Sequence, residues 1–251
     1  MSATLRPQSG AASHVGRVRQ RNEDGYFVDE EAGLWAVADG MGGHQGGEWA
    51  AAQVVAALDA VPMPAGLDAR CAAVADRIHQ ANAFIHDDAL RRGATVGTTV
   101  VALLVEGGRF ALLWAGDSRA YVLRGGTLHR LSRDHTQVQE MVDRGLLDAR
   151  EAATHPLGHV LTRAVGVSPA LEIDVVTDAV EPGDTFLLCS DGLHGTVDEA
   201  EIAAALHGGP APATERLVAE TLARGAPDNV TVVAVQFREP TLLSLGQPAA
   251  P

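Results

Sequence analysis

The stretch Leu34-Trp-Ala-Val-Ala-Asp-Gly-Met-Gly-Gly-His-Gln-Gly-Gly-Glu-Trp49 decides how this chain is read. Leu34 to Ala38 is a short apolar run, which predicts a buried strand. The run stops at Asp39. Glycines at 40, 42, 43, 46 and 47 follow, and a helical spacing through Trp49, Val54, Val55 and Leu58 begins near Glu48. A carboxylate at the end of a rigid strand, beside glycines that let other groups approach, suits a hard metal ion. A tight turn with a solvated aspartate explains the same residues, so the choice rests on whether the pattern recurs.

It recurs three times: in Leu113-Trp-Ala-Gly-Asp117-Ser118, in Leu188-Cys-Ser-Asp191-Gly192, and in Asp228-Asn-Val-Thr-Val232, where the Asp precedes the strand. Four carboxylates gathered at one edge of a sheet repel one another unless cations hold them. Oxygen donors without His or Cys pairs at ligand spacing favour Mg²⁺ or Mn²⁺ over Zn²⁺. A further polar cluster, Arg19-Gln-Arg-Asn-Glu23-Asp24, adds two carboxylates and guanidinium forks of the kind that grip phosphate.

The rest of the pattern predicts an α+β fold. Short strand candidates (Val15 to Val18, Tyr26 to Asp29) flank the Arg19–Asp24 cluster. A long helix is expected from about Asp68 to Arg91, with Val74, Ile78, Ala81 and Ile85 on one face. Strands at Thr98 to Val105 and Arg109 to Ala115 flank Glu106-Gly107-Gly108, and strands at Arg119 to Leu123 and Thr127 to Leu131 flank Arg124-Gly125-Gly126. Turns this short demand antiparallel pairing. Further strands are expected at Leu171 to Val176, Thr185 to Cys189 and Asn229 to Phe237, with helices at Asp198 to Leu206 and Ala213 to Arg224. The expected architecture is a four-layer α-β-β-α sandwich of two mainly antiparallel sheets flanked by helices. Residues 134–170, more polar and with short helical pieces at Thr136 to Arg144 and Asp148 to Ala153, read as an inserted subdomain or lid. Residues 1–12 read as a flexible arm, 13–238 as the catalytic domain and 239–251 as a loose tail.

Composition removes several function classes. The net charge of −13 argues against a nucleic-acid partner. All 19 basic residues are arginine, which excludes Schiff-base, P-loop and kinase lysines. Two cysteines, Cys71 and Cys189, are too few for a disulfide framework or a thiolate metal site. No apolar run approaches the roughly 18 residues that span a bilayer, and the first residues lack a signal-peptide core, so the expectation is a cytoplasmic protein with no membrane partner.

Together these residues resemble the metal-dependent serine/threonine protein phosphatases of type 2C (the PPM family) in their compact bacterial form. The matching segments are Gly16-Arg-Val-Arg-Gln-Arg-Asn-Glu-Asp24, Ala38-Asp-Gly-Met-Gly-Gly-His44, Gly97-Thr-Thr99 and Ala115-Gly-Asp-Ser-Arg-Ala-Tyr121. Leu131-Ser-Arg-Asp-His-Thr136, Leu161-Thr-Arg-Ala-Val-Gly166, Leu188-Cys-Ser-Asp-Gly-Leu193 and Asp228-Asn-Val-Thr-Val232 follow in the same order.

The resemblance implies a pair of Mn²⁺ or Mg²⁺ ions bridged by Asp39, with the Gly40 carbonyl on one and Asp191 and Asp228 on the other. Asp117, with Asp191, would hold a third and weaker ion. Glu23 and Asp24 would act through waters, and Arg19 would hold the substrate phosphate. Residues 134–170 correspond to the family's variable flap. The implied reaction is hydrolysis of phosphoserine and phosphothreonine in proteins by metal-activated water, reversing a Ser/Thr kinase. His44 is the candidate acid for the leaving alkoxide, since imidazole titrates near neutrality. The chain departs from the common pattern at His194, where many members carry Thr or Ser.

Two decoys fail on their surroundings. Cys71-Ala-Ala-Val-Ala-Asp-Arg77 has the spacing of a cysteine phosphatase but an Ala-rich helical period in place of a glycine-rich phosphate loop. Gly40-Met-Gly-Gly-His-Gln45 lacks the third glycine of a dinucleotide fingerprint. His79, His86, His129, His155 and His159 are scattered and read as ordinary polar residues. Two rival functions are weighed: a two-metal nuclease or phosphodiesterase, which uses similar carboxylates but is disfavoured by acidity and the lack of lysine, and an inactive binding relative, which should have lost Asp39, Asp191 or Asp228, all present here.

Overall fold

Strands that are apolar at every position must bury both faces, so each has to lie between two cores. In the computed structural model, which describes residues 5–42, 46–148, 151–152 and 155–239, the central strands do this. One sheet has the order β2 (Asp24–Asp29), β3 (Leu34–Met41), β5 (Val100–Glu106), β6 (Arg109–Ala115) and β9 (Asp174–Ala179), with the two-residue β4 (Gly97–Thr98) paired to the end of β3. The other has the order β1 (Arg6–His14), β11 (Val230–Arg238), β10 (Thr185–Cys189), β7 (Arg119–Arg124) and β8 (Thr127–Arg130). The pairings are antiparallel throughout both sheets.

Alternation along each strand then builds the layers. Trp35 and Val37 of β3, Leu112 of β6, Phe186 and Leu188 of β10 and Val233 of β11 point between the sheets. A chain of edge-on rings runs through that core: Phe110 to Phe186 at 5.0 Å, Phe186 to Phe237 at 5.8 Å, Phe237 to Trp35 at 6.0 Å. The opposite faces of β3 and β5, with Leu34, Ala36, Val100 and Ala102, pack under α1 (Gly46–Asp59) and α2 (Leu67–Arg92). Val74, Ile78, Ala81 and Ile85, spaced three and four apart, form the buried stripe of α2. On the second sheet, Leu187, Cys189, Val232 and Ala234 meet α5 (Glu199–Leu206) and α6 (Pro210–Ala223). The four-layer α+β sandwich is the fold expected from the sequence.

The segment 134–170 contributes one helix, α3 (Gln137–Asp143), whose N-cap Thr136 side chain accepts from the Gln139 amide. It is tied down by single bridges, Thr136 to Leu161 and Thr98 to Val165. The expected helix from Asp148 to Ala153 falls partly outside the described residues, as does the expected tail from 240 onward.

Three expectations are corrected. Val15 to Val18 is loop, because the chain must swing there past the start of β11: the Arg17 amide bonds the Ala226 carbonyl. The strand expected at Leu171 to Val176 lies three residues later, where it pairs with β6. Residues 6–12, expected to be part of a flexible arm, belong to β1, paired with β11 from Arg6↔Arg238 to His14↔Val230. The strand was hidden because its residues are small and polar. They are small because α6 lies directly on it: a methyl group at Gly10 would sit 2.6 Å from the Ala211 nitrogen and 2.8 Å from the Pro210 carbonyl carbon.

Removing residues 1–12 therefore strips a sheet edge from β11 and uncovers α6. We expect the thermal midpoint of the shortened chain to fall by at least about 10 °C, read by circular dichroism. A midpoint unchanged within a degree would mean that these residues are a loose arm after all.

Candidate active site

The carboxylates come together because the strands that carry them end at one edge of the sandwich. Asp39 and Gly40 lie near the end of β3, Asp117 in the turn between β6 and β7, Asp191 just past β10, and Asp228 just before β11. Asp24 opens β2 and is the direct cross-strand partner of Asp39. Like charges in that relation repel. Arg19, Glu23, Asp39, Gly40, Asp117, Asp191 and Asp228 line one cleft of about 390 Å³, together with Thr99, Asn229 and His159. Asp24 is buried behind it.

The backbone around each carboxylate is fixed by hydroxyl and amide side chains. The Thr99 hydroxyl accepts from the Asp39 amide at 2.9 Å, and the Thr99 amide donates to the Asp39 carbonyl at 2.8 Å. Thr99 Oγ1 also meets Ser118 Oγ at 2.6 Å, linking the Asp39 strand to the Asp117 turn. Asn229 holds the acidic loop with three bonds of 2.8 Å: its Nδ2 donates to the carbonyls of Val15 and Arg21, and its Oδ1 accepts from the Glu23 amide. Ser190 Oγ donates to Asp24 Oδ2 at 2.9 Å while accepting from the Thr231 amide. The start of α1 is pressed onto the same edge: a methyl at Gly40 would meet the Glu23 carbonyl oxygen at 2.5 Å and collide with the Gly47 backbone.

The charges themselves are left unbalanced. Burial, then the neighbouring Asp24, Asp191, Asp117 and Asp228, hold the Asp39 carboxyl well above the usual range. Burial pushes Asp24 and Asp117 up to about 7, with Asp191 adding to both. Asp191 is raised by burial and by Asp228, and its carboxyl is within hydrogen-bonding reach of Asp39. Glu23 Oε1 and Asp24 Oδ1 are buried without a hydrogen-bond partner among the described residues. Such orphaned acceptors cost roughly 1–3 kcal/mol each unless something fills them. Arg19, the arginine among the described residues that line the cleft, donates to Asp228 Oδ2 at 2.7 Å and stays largely exposed.

Among the described residues no three Asp, Glu, His or Cys side chains are already closed into a metal-holding group; the carboxylates ring the cleft. Their chemistry nonetheless fits hard divalent cations: the donors are all oxygen, they repel one another, and two buried oxygens lack partners.

Most residues singled out from the sequence are brought together here. His44 lies outside the described residues. His194, the departure from the family pattern, is half-buried in α4 (Asp191–His194) with Nε2 3.0 Å from the Asp117 carbonyl oxygen. Burial and Arg119 lower its pKa to about 3, so the ring is neutral. His159, read as an ordinary polar residue, in fact lines the cleft. Thr99, Ser190 and Asn229 lie in matching segments but had no assigned role; Ser190 and Asn229 each adjoin an aspartate of the cleft, and that adjacency was the available signal.

The family profile described as "Protein phosphatase 2C" matches residues 12–229. The serine/threonine protein phosphatase PstP of Mycobacterium tuberculosis is 39% identical over 238 residues, covering 92% of this chain and 45% of its own length. The chain thus spans about half of that relative. Among solved structures, PppA, titled a key regulatory component of T6SS in Pseudomonas aeruginosa, superposes with a TM-score of 0.87 at 43% identity, over 94% of this chain and 99% of that one. The catalytic domain of PstP in complex with 2 manganese ions gives 0.83 at 36% identity, over 94% and 100%.

The raised carboxyls set a pH dependence whose sign can be worked out. Asp24 and Asp117 have an ordinary value of 3.8 when unfolded and about 7 when folded. Between those values the folded chain binds more protons than the unfolded one, so stability falls as pH rises through that window. Without metal, the chain should melt higher at pH 5 than at pH 7.5, at roughly 2–4 °C per kcal/mol, and Mn²⁺ at pH 7.5 should reverse the difference. A midpoint in chelator that climbs from pH 5 to 7.5 would contradict this.

Proposed function

The chain belongs to the protein phosphatase 2C family, and from that premise we propose that it is a metal-dependent phosphoprotein phosphatase that hydrolyses phosphoserine and phosphothreonine. The observation that carries the reading is the cleft itself, where acidic side chains from separate strand ends surround a space bordered by one exposed arginine.

Asp39, the Gly40 carbonyl, Asp191 and Asp228 would hold two divalent cations, Mn²⁺ or Mg²⁺, with Asp117 and Asp191 available to a third. Bound there, the cations supply Lewis acidity toward the phosphoryl oxygens and a nucleophilic water at neutral pH. The chain's own residues do the positioning. Glu23 and Asp24 offer free carboxylate oxygens to orient water by hydrogen bonds. Arg19 spends one Nη on Asp228, and its remaining N–H groups face solvent, a fork suited to two phosphate oxygens. His44 stays the proposed proton donor to the leaving alkoxide.

No side-chain nucleophile competes with this reading. Cys189 is buried, its thiol pushed up to about 12 by burial. Cys71 sits on α2, outside the cleft lining, with its thiol also raised by burial. Neither is the activated thiolate that a cysteine phosphatase requires.

Substrates are proposed to be phosphorylated proteins made by a cognate Ser/Thr kinase, with the enzyme working in the cytoplasm as part of a signalling circuit. No helix among the described residues is long and apolar enough to cross a membrane.

Turnover of a phosphothreonine peptide should require Mn²⁺ or Mg²⁺ and vanish in chelator. Asp39→Asn should retain less than a tenth of the rate, a barrier increase above about 1.4 kcal/mol, because a neutral amide cannot bridge two dications. Full activity of metal-free protein, or of Asp39→Asn, would overturn the assignment. Arg19→Ala should raise KM for the peptide. His44→Ala should slow the peptide far more than p-nitrophenyl phosphate, whose leaving group departs without a proton. Equal losses on both substrates would assign His44 to positioning instead.

A further inference from the structure

Resting on the phosphatase reading, we propose that a second, apolar pocket beside the cleft receives an apolar side chain of the substrate protein, within about three residues of the phosphoresidue. The pocket measures about 290 Å³ and shares two of its walls, Met41 and Leu161, with the catalytic cleft. Ala164, Val167, Ala170 and Leu171 complete its apolar surface, beside the polar Thr162 and Ser168. At about 290 Å³ it falls at the lower limit of small-ligand sites, which run to roughly 300–1,000 Å³, and has room for a large apolar side chain.

The pocket is continuous with the place where the phosphate must bind. Met41 follows Gly40 directly and turns the corner between the two spaces. Extended peptide advances about 3.3 Å per residue, so a substrate with its phosphate at Arg19 passes the shared wall within a few residues. Val167 is 40% exposed although apolar, and Leu157 and Val160 just before Leu161 are each 36% exposed. Apolar surface left open next to a reaction centre marks a contact site more readily than does a lone exposed valine.

Charge supports an apolar occupant. Arg163 at the rim is already held by Asp174 Oδ1 at 2.7 Å and by Glu172 Oε2 at 3.4 Å. A carboxylate entering there would meet Glu172 and an Arg163 already engaged by two carboxylates, losing water without gaining a partner. Gly97 lets two of the lining side chains pack closely: a methyl there would lie 2.7 Å from Val167 Cγ2 and 3.2 Å from Met41 Cε. The unbranched thioether of Met41 can adjust to differently shaped guests, so the pocket should accept Leu, Ile, Val, Met or Phe and reject Asp and Glu.

The test uses the full chain with Mn²⁺ and a set of phosphothreonine peptides in which a single Leu, Ser or Asp is stepped through three positions on either side of the phosphoresidue. At one position Leu should exceed Ser in kcat/KM by about tenfold, with Asp lower still. Val167→Asp and, separately, Ala170→Asp should abolish that preference, so that the ratio of Leu-peptide to p-nitrophenyl phosphate kcat/KM falls about tenfold. A flat profile in the wild-type chain, or a preference that survives both substitutions, overturns the pocket assignment while p-nitrophenyl phosphate turnover upholds the phosphatase reading. Absence of metal-dependent turnover on every phosphate ester overturns both.

Discussion

Repulsion among buried carboxylates is the constraint on which the rest of this structure depends. Asp24 and Asp39 face one another across a strand pair, and Asp117 and Asp191 close in from two other strand ends. Without a counter-charge such a group would spread apart, and here the scaffold does not let it. The Thr99 hydroxyl and amide clamp the Asp39 backbone, the Asn229 amide pins three points of the acidic loop, and Ser190 ties Asp24 to β11. These bonds satisfy the backbone and leave carboxylate oxygens unsatisfied, the arrangement that preorganises a cation site.

The sandwich supplies the rigidity. Antiparallel pairing sets the end of β10 beside the start of β11, so Asp191 and Asp228 come from neighbouring strands of one sheet, while Asp39 comes from the other and Asp117 from the turn that joins the two. Only a well-packed core between the sheets can keep those four ends in register, and the run of edge-on rings from Phe110 to Trp35 lies there. The same edge explains why Gly40 and Gly47 carry no side chain: β3 and α1 touch backbone to backbone, which brings the helix start up against the Asp39 strand.

Much of this could be read in the sequence, for a physical reason. Strands buried on both faces are apolar throughout, so an aspartate at their ends stands out, and glycine turns fix antiparallel pairing. Asp39, Asp117, Asp191 and Asp228 were legible on that basis. β1 was not, because a strand under a closely packed helix needs small residues, and small residues look like a loose arm. Nor was His159 legible, since it reaches the cleft from an irregular segment where no periodicity points to a destination. Ser190, Thr99 and Asn229 act through hydrogen bonds between distant parts of the chain. Spacing along the sequence carries no information about such partners.

The account's central claim is that the carboxylate group is built to be neutralised by more than one divalent cation. Calorimetric titration of the metal-free chain with Mn²⁺ at pH 6.5, repeated in two buffers of different ionisation enthalpy, tests it most directly. Carboxyls with raised pKa values must give up protons when a cation displaces them. The account predicts at least two Mn²⁺ ions per chain, net proton release on binding, and loss of ions and protons together in Asp39→Asn. Binding of a single ion or none, or binding without proton release that Asp39→Asn leaves unchanged, would contradict it.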